Sequence, residues 1–330
     1  MNIKSLICCC VAFAGTLLYS SCIREDLSDC FQQTTIHFNY TYKLPDVSDE
    51  FPTPLNDVLL YVFDSNERFV KEIRTQPSTG ASLDAFEVSC PLAAGNYNIV
   101  TWAGDEHPDL QNAIIGTDGK PAPATLVPGE TLLTEAVRML VPQTDTRSAT
   151  SSNTYINLYH CLARNVEIAE GRDNRINMGL VRSSNEVTVR LTAPQGMDED
   201  MQAYAVSIAL PNNALAFDHT LPEATEHLLY TPYKKDKETN NIYLHKLSLM
   251  RLTPEMPGDL VLTDTRTGNE LFRLALIKEI ITRHPQVAAD PVLGLDKYYE
   301  FLIDLEVGDD RVSVSITVDG WKVRLVNTEM

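Results

Sequence analysis

Residues 35–42 read TIHFNYTY, and apolar and polar side chains alternate strictly along this segment. Ile36, Phe38 and Tyr40 occupy the even positions, with histidine and asparagine between them. Successive side chains of a β-strand point to opposite faces of a sheet, so this alternation is typical of a half-buried strand. The chain is predicted to be mainly β, because the same period recurs at residues 187–191, 204–210, 299–307 and 312–319.

Residues 57–64 (DVLLYVFD) show a different pattern, an unbroken apolar run between two aspartates. Such a run is typical of a strand that is buried on both faces. Turn-forming residues follow this strand at 64–67 (DSNE), and a second turn is predicted at 264–269 (DTRTGN). Helical periodicity is scarce, and the best candidate is a short helix at residues 277–284 that Pro285 ends.

Two polar segments divide the strand patterns. Residues 143–153 (QTDTRSATSSN) are predicted to form a long exposed loop. The strand pattern restarts after residues 170–174 (EGRDN), so the domain boundary is predicted near residue 172. The N-terminal domain would be residues 22–172 and the C-terminal domain residues 173–330, each long enough to bury its own core. The expected architecture is all-β, with two tandem antiparallel β-sandwich domains.

The N-terminus has the features of an export signal. Lys4 precedes an apolar run at residues 6–18, which is shorter than the roughly 20 residues of a bilayer-spanning helix. Residues 1–21 are therefore predicted to be a signal peptide. Cys22 comes directly after two serines, at the place where bacterial lipoproteins are cut, and is predicted to carry N-acyl and S-diacylglycerol groups. The alternative is an ordinary signal peptide with an incidental cysteine, since Tyr19 stands where lipoproteins prefer an aliphatic residue.

The chain is strongly acidic. Its 330 residues carry 45 Asp and Glu against 27 Lys and Arg, a net charge of −18. Nucleic acids and anionic lipid surfaces are bound by clustered Lys and Arg, so neither is expected as a partner. After Cys22 the sequence has no further apolar run long enough to cross a bilayer, and lipid is predicted to be the only anchor.

Cysteine usage does not indicate a disulfide framework. Of the seven cysteines, three lie in the apolar run of the signal, and Cys22 would be acylated. Cys30, Cys90 and Cys161 remain, and three thiols cannot all pair within one chain. Buried free thiols are favoured, and a single disulfide between Cys30 and Cys90 is the alternative.

The sequence marks no catalytic, cofactor or metal site. The seven histidines form no H-E-x-x-H pair, and there is no G-x-S-x-G nucleophile motif. Residues 116–121 (GTDGKP) resemble a phosphate loop, but their glycines are too close together and a proline replaces the hydroxyl, which indicates a turn. Residues 105–109 (DEHPD) are acidic but lack the spacing of oxygen ligands in a calcium loop. No enzyme activity is predicted.

A glycine turn and a final strand pattern lie at residues 318–327 (VDGWKVRLVN). Trp321 stands at the start of this strand, where it is predicted to close the core of the second domain. Contact between Trp321 and a partner protein is the alternative, because tryptophan is enriched at interfaces as well as in cores.

Five segments, taken in order, resemble the Bacteroidales fimbrial anchor lipoproteins, which are the FimB-type minor subunits of type V pili. The likeness runs across nearly the whole processed chain, and its order is more specific than any one motif. The segments are residues 22–30 (CIREDLSDC), 58–70 (VLLYVFDSNERFV), 91–104 (PLAAGNYNIVTWAG), 158–168 (LYHCLARNVEI) and 318–327.

The resemblance implies a fold and a cellular place. The fold would be two transthyretin-like β-sandwich domains, and the protein would sit on the surface of the cell outer membrane. The site that carries over is the acylated Cys22. Glu25 and Asp26 are similar to the signals that send such lipoproteins to the outer leaflet.

Two functions are compatible with these features. The first is a structural subunit that anchors a fimbrium, limits its elongation and pairs with fimbrial (pilin) subunits by strand addition. The alternative is a surface lipoprotein that binds glycan or host protein, as an adhesin or fimbrial tip component. Exposed aromatic side chains, such as those of Trp102, Tyr298 and Tyr299, would be the signature of that second function.

Overall fold

A computed structural model describes most of the chain. The residues described are 33–40, 55–77, 86–105, 108–141, 151–152, 155–192, 203–223, 225, 227–239, 241–307, 311–318, 321–324 and 328–329. Side chains are described for these residues except at 151–152, 285–286 and from 311 onward. The predicted signal peptide, Cys22 and Cys30 lie outside the described residues, and so does the side chain of Trp321.

The described residues fold into strands, with three short helices late in the chain. The strands of the first half are β1 (Thr34–Tyr40), β2 (Asp57–Asp64), β3 (Phe69–Thr75), β4 (Glu87–Ser89), β5 (Gly95–Gly104), β6 (Leu110–Ile115), β7 (Pro121–Pro123), β8 (Ala136–Leu140), β9 (Ser151–Ser152), β10 (Leu158–Ile168) and β11 (Asn174–Arg182). The prediction of a mainly β chain is confirmed.

The second half continues in the same way. Its strands are β12 (Ser184–Thr192), β13 (Tyr204–Leu210), β14 (Ala214–Ala216), β15 (Leu228–Tyr230), β16 (Lys234–Thr239), β17 (Ile242–Met250), β18 (Asp259–Asp264), β19 (Glu270–Ala275), β20 (Glu300–Val307), β21 (Arg311–Val318), β22 (Trp321–Arg324) and β23 (Thr328–Glu329). Helices α1 (Leu276–Arg283), α2 (Pro285–Ala289) and α3 (Pro291–Lys297) lie between β19 and β20. The five segments of alternating sequence coincide with β1, β12, β13, β20 and β21.

In the described part of the chain, the strands form four sheets. The first sheet has the order β3-β2-β5-β10-β11-β1-β4, and the second has the order β16-β17-β12-β20-β21-β22, with β23 beside β21. A third sheet is β19-β18-β13-β15-β9, and a fourth is β14-β8-β6-β7. The pairs β1·β11, β12·β20 and β15·β9 are parallel, so the sheets are not wholly antiparallel as predicted.

The predicted domain boundary falls inside the first sheet. β11 follows residue 172, yet it pairs in parallel with β1 and antiparallel with β10. The polar residues 170–174 are the turn of the β10–β11 hairpin, in which the Asn174 side chain donates to the carbonyls of Ala169 and Arg172. The first sheet therefore extends to Arg182, and we propose a division between β11 and β12.

Strands from the two halves also pair with each other. β14 of the second half pairs with β8 of the first, and β9 pairs with β15. Residues 151–152 form β9, although the sequence predicted a loop over residues 143–153; residues 142–150 lie outside the description. The halves are therefore joined by backbone hydrogen bonds as well as by side chains.

Strand β2 is buried on both faces, as its unbroken apolar run predicted. Val58, Leu60 and Val62 on one face pack in a cluster with β1, β5 and β11. We call this the inner face of the first sheet. Tyr61 and Phe63 belong to the opposite face, which we call the junction face because its cluster continues through the core of the second half.

The predicted helix at residues 277–284 is confirmed by α1. Pro285 follows α1, but it also begins α2, where the His284 side chain accepts a hydrogen bond from the Val287 amide. The sequence did not predict α2 or α3, because helices of five and seven residues show too few turns for a periodic signal. Within the described ranges, no helix is long and apolar enough to span a membrane.

Candidate functional site

The aromatic residues that the sequence offered as an exposed binding surface are not exposed. Trp102 is only 1% exposed, because β5 lies between β2 and β10 and the indole points into the junction face. Tyr298 is buried as well, and the Arg182 guanidinium lies 4.3 Å from the centre of the Tyr299 ring. Trp102, Tyr298 and Tyr299 therefore do not form the exposed aromatic surface that would be the signature of the alternative function.

The other candidate residues have local structural roles. Residues 116–121 form a tight turn, in which the Gly119 amide donates to the Gly116 carbonyl. Cys90 and Cys161 are free cysteines, and burial raises the pKa of Cys161 to about 11. Among the residues that the structure describes, no group of three or more His, Cys, Asp or Glu could hold a metal ion.

Two histidines from opposite halves meet at the junction face. The imidazole rings of His160, on β10, and His219, after β14, stack with centroids 4.5 Å apart and planes 11° apart. Trp102 also contacts His160, with ring centroids 4.4 Å apart and planes tilted by 51°. His160 Nε2 donates to the Phe217 carbonyl at 3.0 Å, and His219 Nε2 shares a hydrogen bond with Ser183 Oγ at 2.8 Å.

The electrostatics of this pair favour neutral rings. Burial lowers the pKa of His160 to about 4, although its bond to the Phe217 carbonyl acts in the opposite direction. Burial also lowers the pKa of His219 well below its ordinary value, and the neighbouring His160 and Arg251 lower it further. Two stacked imidazoles beside an arginine are thus held uncharged, which suits a packing contact between the halves.

Arg251 ties this cluster to helix α3. Its Nε and Nη2 atoms donate to the two carboxylate oxygens of Asp296 at 2.7 and 2.8 Å. Its Nη1 atom donates to the His219 carbonyl at 2.9 Å. This bidentate pair is largely buried, so both charges depend on one another for compensation. The sequence showed no sign of the cluster, because its members are far apart along the chain.

Sheet edges are the other candidate site, since an edge can accept a strand from a partner. β16 is an edge strand in which five of six residues are charged (KKDKET). β7 is an edge of three residues, two of them proline, and β4 is equally short. Charge, proline and shortness all disfavour strand addition. β3 is an edge of seven residues that contains no proline.

A groove of about 790 Å³ runs beside β3. Phe69, Val70 and Leu126 line it with apolar atoms, and Gln111 and Asn112 of β6 supply polar ones. The irregular segment that follows β7 also lines the groove, through Ala124, Thr125, Leu126 and Pro128. This groove was not predicted. The sequence signal that could have indicated it is the presence of three prolines within residues 121–128, which disfavour a long paired strand.

Asn112, which lines the groove, belongs to a network of hydrogen-bonded polar side chains. Asn112 Oδ1 accepts hydrogen bonds from Tyr61 Oη at 2.9 Å and from Arg138 Nη1 at 3.0 Å. Burial raises the pKa of Tyr61 to about 12, and burial also lowers the pKa of Arg138. The side-chain amide of Asn112 faces Glu72 of β3, with 3.5 Å between the nitrogen and oxygen. The network connects β2 and β3 of the first sheet to β6 and β8 of the fourth sheet.

Several solved structures have the same fold. A protein from Bacteroides thetaiotaomicron described as a candidate polysaccharide-binding protein aligns with a TM-score of 0.70 at 21% identity, over 89% of this chain and 98% of its own. A candidate adhesin from Bacteroides ovatus aligns with a TM-score of 0.69 at 18% identity, over 89% and 95%.

A third solved structure is the fimbrial anchor protein Mfa2 from Porphyromonas gingivalis. It aligns with a TM-score of 0.65 at 20% identity, over 89% of this chain and 99% of its own. At such identities the alignments establish the fold alone. A comparison with curated proteins gave no match.

The sequence as a whole also matches a family profile. The profile is that of the fimbrillin-A associated anchor proteins Mfa1 and Mfa2, and the match covers residues 27–327. The resemblance to the fimbrial anchor family is thereby confirmed. This chain belongs to the family of fimbrillin-A associated anchor proteins.

Proposed function

We propose that this chain is a lipid-anchored structural subunit of a cell-surface fimbrium, with no enzyme activity. It would hold the fimbrium to the outer membrane and limit its elongation. The observation that carries this proposal is the family match over residues 27–327, on a chain whose described part is built from sheets. The acidic balance, a net charge of −18, supports a protein partner rather than nucleic acid.

Cys22 would supply the anchor. An N-acyl group and an S-diacylglycerol group together place several acyl chains on one residue, and more than one chain is needed for stable membrane attachment. The apolar run before Cys22 and the two serines next to it support acylation at this position. The acidic residues Glu25 and Asp26 support a place in the outer leaflet of the outer membrane.

The Cys22→Ala variant tests the anchor. Expressed in cells that assemble the fimbriae, it should lose palmitate label and leave the membrane fraction. Cys30→Ala is the matched control, because it removes a neighbouring thiol and should keep both the label and the membrane association. Retention of label and membrane association by Cys22→Ala would refute the anchor.

Deletion of the chain tests the fimbrial role. Without an anchor and terminator, cells should shed fimbriae into the medium, and the fimbriae should be longer in electron micrographs. The wild-type chain should restore attachment and length, whereas Cys22→Ala should not restore attachment. Fimbriae of unchanged length and attachment in the deletion strain would count against the proposal.

A second function, binding of glycan or host protein, is supported by the descriptions of two relatives of the same fold as candidate polysaccharide-binding protein and adhesin. The burial of Trp102 and Tyr298 removes the aromatic surface that such binding would use. Retention of the purified chain on a polysaccharide column, together with normal fimbriae in the deletion strain, would favour this second function.

A further inference from the structure

We infer that the outer edge of β3, together with the groove beside it, accepts an extended segment of a fimbrial subunit as an added strand. The inference rests on the proposed function and assigns its contact surface. In the described part of the chain, β3 pairs with β2 on one side and with no strand on the other. The edge beyond Phe69, residues 71–75, would accommodate a segment of about 16 Å at the rise of a β-strand.

The chain itself shows how this edge binds a segment. Phe69 donates its amide to the Thr131 carbonyl and accepts a bond from the Gly129 amide, both at 2.8 Å. The Leu133 amide donates to the Glu67 carbonyl at 2.9 Å. Residues 129–133 thus occupy the outer edge only as far as Phe69. A partner segment would continue the same ladder where this one ends.

The charged side chains of β3 do not disfavour addition of a strand to its edge, unlike those of β16. Arg74 is held by Asp57 through two hydrogen bonds of 3.1 and 3.0 Å. Lys71 donates to the Pro91 carbonyl, and Glu72 faces the Asn112 amide. Each of these charged side chains has a polar partner within the protein's own chain, so a backbone can approach without burying an unpaired charge.

The lining of the groove includes one exposed large apolar side chain. It is that of Val70, which is 37% exposed and is one of four exposed large apolar residues in the described chain. Phe69 and Leu126 are buried residues of the same lining, and Pro123 and Pro128 are exposed ones. An added strand directs alternate side chains to each of its faces, so an occupant with apolar residues at alternate positions would fill the groove.

Site-specific photo-cross-linking tests this assignment. The full-length chain with Val70→p-benzoylphenylalanine would be expressed in fimbriated cells, irradiated, and purified with the fimbriae for mass spectrometry. Val292→p-benzoylphenylalanine is the matched control, because Val292 is an exposed apolar residue, 56% exposed, on α3. We expect a cross-link from position 70 to an extended segment of a fimbrial subunit, and none from position 292 to that segment.

A charge substitution provides a second measurement. Val70→Glu should reduce the amount of fimbrial subunit that purifies with the chain by about tenfold, whereas Val292→Glu should not change it. Thermal unfolding of both variants should match that of the wild type, because both residues are at the surface. Unchanged recovery with Val70→Glu would overturn the inference.

The outcomes separate this inference from the proposed function. If the chain purifies with fimbriae but position 70 gives no cross-link, or cross-links residues 41–54 or 78–85 of this chain or a second copy of it, the edge assignment is wrong and the fimbrial role stands. If the chain does not purify with fimbriae at all, both are wrong. A cross-link to a fimbrial segment supports both.

Discussion

The two faces of the first sheet differ in the polarity of the side chains that they bury. The inner face is almost wholly apolar, with residues such as Ile36, Leu60 and Met178 in one cluster that belongs to the first half. The junction face combines apolar residues with polar ones: His160 lies among Trp102 and Phe217, and its cluster extends through the second half. The same strands, β2, β5 and β10, present both faces.

This difference indicates that the two faces have different structural roles. Apolar burial stabilises a core but fixes relative orientation only loosely, since it is not directional. Hydrogen bonds require particular partners, and a misplaced buried polar group is costly. The His160–His219 stack therefore helps to define how the second half sits on the first, and the Arg251–Asp296 pair fixes the second-half side of that contact through the His219 carbonyl. We expect the inner face to determine the stability of one half, and the junction face to couple both halves.

The largest expected loss of stability comes from truncating a buried core residue, and its pattern should differ between the junction face and the inner face. Trp102→Ala should lower the free energy of unfolding by about 3–5 kcal/mol, because it removes a large buried side chain from the shared cluster. Hydrogen exchange should then rise in β2 and β5 and also in β13 and β18. Leu60→Ala, the matched change on the inner face, should cost about 2–5 kcal/mol and raise exchange mainly in the first sheet. Equal exchange patterns for the two variants would contradict the comparison.

The next effect concerns the buried ion pair between Arg251 and Asp296. Arg251→Met should lower the free energy of unfolding by about 3 kcal/mol, because Asp296 would remain buried without its partner. Chemical denaturation measures the loss. The surface residue Arg273, which pairs with Glu270 and Asp259, offers a control, and Arg273→Met should have little effect. A double variant with Asp296→Leu should recover much of the loss, since it removes the unpaired charge.

These expectations depend on contacts that the sequence could not reveal. Alternation predicted β1 and β13 closely, because periodicity is a local property. It could not tell that β11 pairs with β1, whose residues lie more than a hundred positions earlier. The burial of Trp102 could not be predicted for the same reason, since a strand has two faces and only its neighbours decide which is covered. The resemblance of five segments, taken in order, to a known family indicated a function, whereas no single residue did.

A pH titration tests the neutral histidines. The pKa of His160 is about 4 in the folded chain, against an ordinary value of 6.5. The unfolded chain therefore binds more protons between these values, and stability falls as pH drops from about 6.5 to about 4. His219, whose pKa is also lowered by burial, adds in the same direction.

The expected loss from His160 is roughly 2–3 kcal/mol at pH 4 relative to pH 8. His160→Gln keeps a donor for the Phe217 carbonyl but cannot titrate, so its stability should fall less over this range. Free energies of unfolding from urea titrations at pH 8, 6 and 4 provide the measurement. Parallel profiles for the two proteins would show that His160 does not contribute to acid sensitivity.

The smallest expected effect lies where the junction face meets the groove. Tyr61→Phe removes a hydroxyl that donates to Asn112 at 2.9 Å, and it should cost about 1 kcal/mol. Asn112→Ala alone should cost more, because Arg138 also donates to Asn112 and would lose that acceptor in a buried site. In the double variant the Tyr61 substitution should add little, since its partner is already gone. Additive losses would mean that the two side chains act independently. The hydrogen bond between Tyr61 and Asn112 would then not stabilise the contact between β2 and β6.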